Sequence, residues 1–407
     1  MWLYNIIVLL YSLMVRIASM WMPKAKLWSE GRKNIFERMA QAISPDDRIV
    51  WIHVASLGEF EQGRPLLERI REEHPEYKIL LTFFSPSGYE VQKNYAGADY
   101  IFYLPIDTPR NARRFLDVAH PEIVIFVKYE FWLNMLYELH RRNIKSYIVS
   151  AIFRPGSIFF RNYGQMWRRA LKSFEVLFIQ NQESKELLHT LGFDNVVIAG
   201  DTRFDRVAQI AQGVKENPII ARFKGESQLF IAGSTWPADE LLLGELVKAN
   251  EDLKFVIAPH EIGSERVEAL QSQFGGAIRY TQIDEGVDLS KAKILILDTM
   301  GQLSRIYRYA SWAYIGGGFG VGIHNTLEAA TFGLPMSFGP NYQKFNEAKE
   351  LVRLGGSSSV NNSEELVEWL GYLRTNEELY KKRSLITKQY TQSQQGAAKI
   401  ITKEIFS

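Results

Sequence analysis

The chain of 407 residues contains no cysteine. That excludes a disulfide scaffold, a thiolate-ligated zinc or iron–sulfur centre and thiol catalysis, and nothing in it requires an oxidising compartment. It also lacks an excess of either charge: 48 basic against 46 acidic side chains leave +2, so the total makes no case for nucleic acid. HExxH, the phosphate loop GxxxxGKS/T and the nucleophile elbow GxSxG are missing. So is a pair of Asp at i, i+2 of the kind that holds a metal-bound sugar nucleotide, and a metal-independent reaction is therefore preferred. No repeat of 20–50 residues and no long low-complexity tract is present.

A long unbroken apolar run is also lacking, although the chain comes near one at its start. MWLYNIIVLLYSLMV carries no charge, and the apolar texture continues past Arg16 to Trp21 and Met22. A spanning helix needs ~20 apolar residues, and Asn5, Ser12 and Arg16 leave this segment at the margin. No small-residue cleavage site precedes Pro23, which argues against a secretory signal. Residues 1–22 are expected to form an uncleaved membrane anchor, spanning or monotopic; the alternative is a helix packed on the globular body. Lys24, Lys26, Arg32 and Lys33 follow, and their charge would keep the rest of the chain in the cytoplasm.

From Arg48 onward short apolar runs alternate with amphipathic stretches. Ile49–Val54, Ile79–Phe83, Tyr100–Tyr103, Ile123–Val127, Ser146–Ser150, Val176–Ile179 and Val196–Ile198 read as buried strands of a parallel sheet covered on both faces. The pattern loosens around 206–227, where GVKENP resembles a linker. It restarts with Leu229–Ala232, Phe255–Ala258, Ile294–Leu297 and Trp312–Ile315. Two doubly wound α/β domains of Rossmann type are expected, 23–210 and 211–407, facing a cleft beyond the carboxyl ends of their strands. The tail from Glu364 to Ser407 reads as helices closing the second domain.

The sharpest local feature is GGGFGVGIHNTLEAATFGLP, residues 316–335, with five glycines in seven positions after the strand WAYI. Glycines admit close backbone approach, and free amides at the start of a helix near His324 or Asn325 favour a phosphate. Glu328, three residues beyond Asn325, suits ribose hydroxyls. A second strand–loop–helix unit is IAGSTWP, where Ser234 or Thr235 can cap the helix or bond a phosphate and Pro237 fits the first turn. A third loop carries Pro259, His260 and Glu261. In the first half, IVWIHVA runs into Ser56-Leu57-Gly58-Glu59. Glu59 is either a general base, its pKa raised by partial burial, or a first-turn acid satisfying the helix dipole. His53 reads as a core residue. Lys128 and Glu130 emerge at the end of another apolar strand.

Residues 141–172 hold eight basic side chains and no acid, interleaved with Phe153, Phe159, Phe160, Tyr163 and Trp167. Arg154, Arg161, Arg168 and Arg169 are the candidates for an anionic membrane surface or a phosphorylated amphiphile. A solvated basic face with its aromatics in the core is the alternative. No recognition module for nucleic acid accompanies them. The near-neutral total is thus a cancellation: residues 1–40 carry six basic and two acidic side chains, and outside these two segments 34 basic face 44 acidic ones.

Taken together, HVASLGE, VKYEFWLN, IQNQESKELLHTLG, AGDTRFD, GSTWPADE and GGGFGVGIHNTLEAA…FGP, in this order and spacing, resemble the Kdo (3-deoxy-D-manno-octulosonic acid) transferase family over nearly the whole chain. The resemblance implies a GT-B fold and inverting, metal-independent transfer of Kdo from CMP-Kdo to a lipid A precursor. It also implies a place on the cytoplasmic face of a Gram-negative-type inner membrane, in lipopolysaccharide synthesis. It makes Glu59 the catalytic base and Glu130 a second acid on the acceptor side. Ser234, Thr235, Pro259, His260, Gly316, Gly317, Gly318, Gly322, Asn325 and Glu328 fall on the nucleotide side. No cofactor, metal or nucleic acid is implied, and the oligomeric state is left open. Arg203 stands where many members have lysine. Two departures are visible: Ala258-Pro259-His260-Glu261 lacks the arginine usual in that loop, and Trp236 replaces the usual histidine. The alternatives are another GT-B enzyme using a UDP-sugar, transferase or epimerase, and a non-catalytic glycolipid-binding protein of the same fold.

Overall fold

The computed structural model describes residues 1–284 and 286–407. The chain divides into two compact units, one formed by residues 1–206 with 395–407, the other by 207–394.

The first unit is built on a seven-stranded parallel sheet. Its strands are β1 Ile49–Val54, β2 Lys78–Phe83, β3 Tyr100–Tyr103, β4 Ile123–Val127, β5 Lys145–Ala151, β6 Val176–Ile179 and β7 Val196–Ile198, in the spatial order β3-β2-β1-β4-β5-β6-β7. The order reverses between β1 and β4, the point at which loops from adjacent strands splay apart and leave room for a site. β1 and β4 are buried along their whole length, as continuous apolar runs in a parallel sheet require. Helices cover both faces and close two apolar layers. One layer is centred on Trp51, Phe115 and Phe126, the other on Ile52, Phe60 and Ile125.

The second unit repeats the plan with β8 Leu229–Thr235, β9 Lys254–Pro259, β10 Ile278–Arg279, β11 Ile294–Ile296, β12 Trp312–Ile315, β13 Met336–Phe338 and β14 Ser357–Ser359, ordered β10-β11-β9-β8-β12-β13-β14. All strand pairs are parallel here too. The helices Ser363–Thr375 and Glu377–Ser393 belong to this unit. The last helix, Ala397–Ile405, does not, in contrast to the expectation that 211–407 forms one domain. Its Ile401 and Ile405 are buried in the core of the first unit, and Asp205 accepts hydrogen bonds from the backbone N–H of Gly396 and Ala398 at 2.6 and 2.8 Å.

Of the two forms of anchor expected for residues 1–22, spanning or monotopic, the spanning one is not met. Its helix runs Trp2–Ala18, 17 residues and about 26 Å at 1.5 Å per residue, before a turn and a second helix, Pro23–Glu30. No helix among the described residues is long and apolar enough to cross a membrane. The helix lies against the first unit with its sides reversed relative to an ordinary amphipathic helix. The Tyr4 hydroxyl donates to Asp107 at 2.6 Å, Asn5 Oδ1 accepts from Asn134 Nδ2 at 2.8 Å, and Ser12 is buried. Leu3, Ile6, Ile7, Leu10, Leu13 and Met14 are exposed.

Arg32 anchors the start of the globular body. Its guanidinium donates to the carbonyls of Leu104, Trp28 and Phe84 at 2.8–2.9 Å and lies over the rings of Trp28, Tyr103 and Phe84. Burial lowers its pKa to about 9, which still leaves it charged at neutral pH. Arg32→Met orphans three carbonyls and is expected to cost about 3 kcal/mol. A lowered urea midpoint for loss of the first unit checks this. Arg32→Lys rescues it only in part, because the three carbonyls are bonded by three separate nitrogens of a planar group, and a single ammonium nitrogen does not reproduce that spacing.

Candidate active site

β1 delivers Glu59 to the carboxyl edge of the first sheet. Ser56 is the N-cap of the helix Leu57–Glu73. Glu59 closes a capping box: its Oε2 accepts from the N–H of Ala55 at 2.8 Å and of Ser56 at 3.0 Å. The helix-capping reading of this residue is thus the one seen directly. Oε2 is spent on the helix, while Oε1 has no hydrogen-bond partner among the described residues. Burial is the largest influence on its acidity and raises the pKa above the ordinary glutamate value. The charge of Glu130 raises it further; Lys128, the Ala55 N–H and His53 pull the other way. Two backbone donors that ordinarily make a carboxylate more acidic are thus outweighed, and the result is a better proton acceptor than an exposed glutamate.

Glu130 is itself held. His53 Nε2 lies 3.1 Å and Trp132 Nε1 2.8 Å from its Oε2, and its side chain is 11% exposed. His53, fully buried as a core residue should be, is thus also bonded to the site. Its Nδ1 is 2.8 Å from the Thr82 hydroxyl, which accepts from Trp51 Nε1 at 2.7 Å. Nδ1 also lies 3.1 Å from the Thr82 carbonyl, and Trp132 Nε1 is 3.0 Å from His53 Nε2, so both ring nitrogens are engaged. Lys128, two residues before Glu130, has φ 65°, the left-handed region that a non-glycine residue enters at a cost.

The expected basic and aromatic surface at 141–172 comes apart. Phe153 and Phe159 are core residues, Phe160 and Trp167 pack partly buried against them, and of the five aromatics only Tyr163 is largely exposed. Arg168 donates to the carbonyls of Phe159 and Arg161, which ties down its own loop. Arg141 and Arg142 pair with Glu138. Arg154, Arg161 and Arg169 remain at the surface. The interleaving in sequence reflects a loop whose rings face in and whose cations face out.

In the second unit, β8 ends in a bulge at Ser234, which has φ 54°. The Ser234 hydroxyl makes no hydrogen bond among the described residues, whereas that of Thr235 is buried and donates to Glu240 at 2.8 Å. Of the two candidate hydroxyls, Ser234 is the one open to a ligand. Neither caps the helix Pro237–Ala249: the N-cap is Trp236, whose N–H donates to Asp239.

Asp239 was not singled out from sequence, and it organises the glycine-rich loop. One of its oxygens accepts from the N–H of Trp236 at 2.9 Å and of Gly317 at 2.8 Å, and the other accepts from the Tyr314 hydroxyl at 2.8 Å. Burial raises its pKa, and these three donors oppose the rise. Its position three residues after the N-cap is a capping signal, but nothing local announces the bond to residue 317. The loop's amides are largely consumed within the protein. Gly316 N–H donates to Gly233, Gly320 and Gly322 donate to Gly317, and His324 donates to Gly316. The helix that follows is a single turn, Leu327–Ala330, too short to offer the phosphate-binding terminus that the sequence suggested. The glycines also serve close packing. A Cβ at Gly316 would strike the Ser234 carbonyl, and one at Gly318 the backbone of Gly339. Asn325 and Glu328 stand together, Nδ2 to Oε1 3.0 Å.

What covers the loop is a stack of rings. His260 stacks over both Trp236, 4.7 Å centroid to centroid, and His324, 4.4 Å away. Trp236 Nε1 donates to His324 Nε2 at 2.9 Å, so the neutral imidazole carries its proton on Nδ1. Burial, then the neighbouring His260, lowers the pKa of His324. Trp236 therefore does more than occupy a histidine's place: it fixes the tautomer of a second histidine. Pro259, buried at the end of β9, sets the loop that carries His260.

Comparison with known proteins places this geometry. The family model described as 3-Deoxy-D-manno-octulosonic-acid transferase (kdotransferase) matches residues 33–206, which hold Glu59, Glu130 and their partners. The 3-deoxy-D-manno-octulosonic acid transferase of Aquifex aeolicus is 30% identical over 326 residues, covering 78% of this chain and 84% of that protein. The chain belongs to the Kdo transferase family. It is therefore an enzyme of the glycosyltransferase class. The Haemophilus influenzae member is 26% identical over 358 residues, 83% of this chain and 82% of its own. Among solved structures, a UDP-GlcNAc 2-epimerase from Neisseria meningitidis superposes with a TM-score of 0.63 at 15% identity, over 88% of this chain and 99% of that one. At that identity the likeness speaks for the fold, and two parallel seven-stranded α/β sheets are the GT-B arrangement.

Proposed function

We propose that this family member transfers Kdo from CMP-Kdo to a lipid A precursor at the cytoplasmic face of a membrane, as a step of lipopolysaccharide synthesis. In this reading the first unit holds the acceptor and supplies the base, and the second holds the donor. Glu59 carries the proposal. Its Oε2 is locked by two backbone donors, its Oε1 is open, and burial with Glu130 makes it a ready proton acceptor. Oε1 takes the proton of the acceptor sugar hydroxyl as the hydroxyl oxygen bonds to the anomeric carbon of Kdo, and the bond to CMP breaks on the opposite face, so configuration inverts. CMP leaves as the phosphate anion. Ser234, the His260–His324 pair and the Asn325–Glu328 pair are the groups we assign to the nucleotide. No metal is assigned, because the chain has no paired-Asp motif to hold one. The outward apolar side of the N-terminal helix suits a position in the plane of the bilayer surface, with Arg154, Arg161 and Arg169 as surface cations for an anionic interface or acceptor.

Incubating the purified protein with CMP-Kdo and a defined lipid A precursor, read by mass spectrometry, is expected to add the mass of Kdo. Calorimetric titration is expected to show binding of CMP and none of UDP. Absence of product, or a preference for UDP, overturns the proposal.

A further inference from the structure

At the foot of the N-terminal helix the chain turns and enters Pro23–Glu30, and between the two lies an open cavity of about 480 Å³. Arg16, Lys26 and Lys33 line it, together with Ser19 and Ser29. Arg16 and Lys26 are exposed, and among the described residues neither has an acidic partner or a side-chain hydrogen bond. Lys33 is 3.9 Å from Glu30, the one acid at the rim and the first in the chain. Arg32 also borders the cavity and adds positive charge there, with three of its N–H groups given to backbone carbonyls.

The neighbourhood of this cavity is apolar in a directed way. The bonds of Tyr4 and Asn5 to Asp107 and Asn134 fix the rotation of the helix, and that rotation turns Leu10, Leu13, Met14 and Ile17 to the outside. Met20, Trp21 and Met22, at the turn, are 58–73% exposed. A cluster of unpaired cations with hydroxyls, bordered by an exposed apolar face, is complementary to a molecule that joins a phosphate to acyl chains. An anionic peptide would satisfy the cations but leave the apolar face in water.

We propose that this cavity binds the phosphate of an anionic glycerophospholipid of the membrane on which the N-terminal helix lies. The proposal rests on the membrane reading given above and adds a defined headgroup site to it. Arg16 and Lys26 hold the phosphate oxygens, Ser19 and Ser29 face the glycerol, and the acyl chains lie beside Met20, Trp21 and Met22. The site fixes the protein's depth and rotation at the surface, which an apolar helix alone does not.

The test is vesicle co-sedimentation of the full-length protein with phosphatidylglycerol-containing or pure phosphatidylcholine vesicles. The wild type is expected to bind the anionic vesicles at least tenfold more tightly. A basic side chain at an anionic bilayer is worth roughly fivefold through diffuse charge alone, so Arg16→Gln with Lys26→Gln is expected to lose well over the roughly 30-fold that two such charges account for on phosphatidylglycerol, and to change little on phosphatidylcholine. Lys24→Gln removes the same charge two residues from Lys26 without touching the cavity, and is expected to cost only the roughly fivefold of diffuse charge, less than Lys26→Gln. Equal losses from Lys24→Gln and Lys26→Gln overturn the site, because diffuse charge then explains the preference. Equal affinity of the wild type for both vesicles also overturns the site while leaving the membrane reading intact. Binding to neither overturns the membrane reading, and the site with it.

Discussion

Glu59→Gln is expected to lower turnover of CMP-Kdo with a lipid A precursor by about 10²–10⁴-fold while leaving the fold and CMP binding in place. The amide is isosteric, and its oxygen can accept the N–H groups of Ala55 and Ser56 as Oε2 does. The cap is therefore retained and only the proton acceptor is lost. Near-normal turnover would falsify the base assignment. The pH dependence follows from the same environment. Glu59 must be ionised to act, so activity falls as pH drops through its pKa, and because burial and Glu130 raise that pKa the fall begins above the ordinary glutamate range. Glu130→Gln removes one of the two raising influences and leaves Lys128, His53 and the Ala55 N–H, all of which lower it. The acid limb of kcat/KM should move to lower pH, and an unmoved limb would disconnect Glu130 from Glu59.

The second large effect is expected at Asp239. Asp239→Ala orphans the buried N–H of Trp236 and Gly317 and the Tyr314 hydroxyl. At about 1–3 kcal/mol for each unsatisfied group, it should destabilise the second unit by at least 3 kcal/mol. Because the same bonds hold the glycine-rich loop against Trp236, CMP affinity should fall by about 100-fold, measured by calorimetry. Asp239→Asn is the informative control. Its amide oxygen can take both N–H groups and its NH₂ can donate to the Tyr314 oxygen, so it should keep most of the affinity. A loss as large as that of alanine would show that the negative charge, rather than the bonding pattern, matters there.

The limits of legibility differ from element to element. β1, β4, β8 and β12 were readable because a strand buried on both faces must be an unbroken apolar run. β14, three serines, and β10, two residues at the sheet edge, carry no such signal. At the site, Glu59 was visible as an acid just beyond a buried strand. Asp239 was not, since its role depends on a partner 78 positions away. His53 looked like core, and it is core; its bond to Glu130 becomes visible only when β1 and β4 are paired. The apolar N-terminus was evident in composition. Which side of it faces the protein was decided by Tyr4 and Asn5, two residues that in sequence merely weaken the apolar run.

The last helix bears on the order in which the molecule can be made. Residues 395–407 complete a unit that begins at residue 1, and Asp205 waits 191 positions for the N–H of Gly396. Residues 395–407 are translated after the whole of the second unit, so the first cannot bury Ile401 and Ile405 in its core until the second has been synthesised.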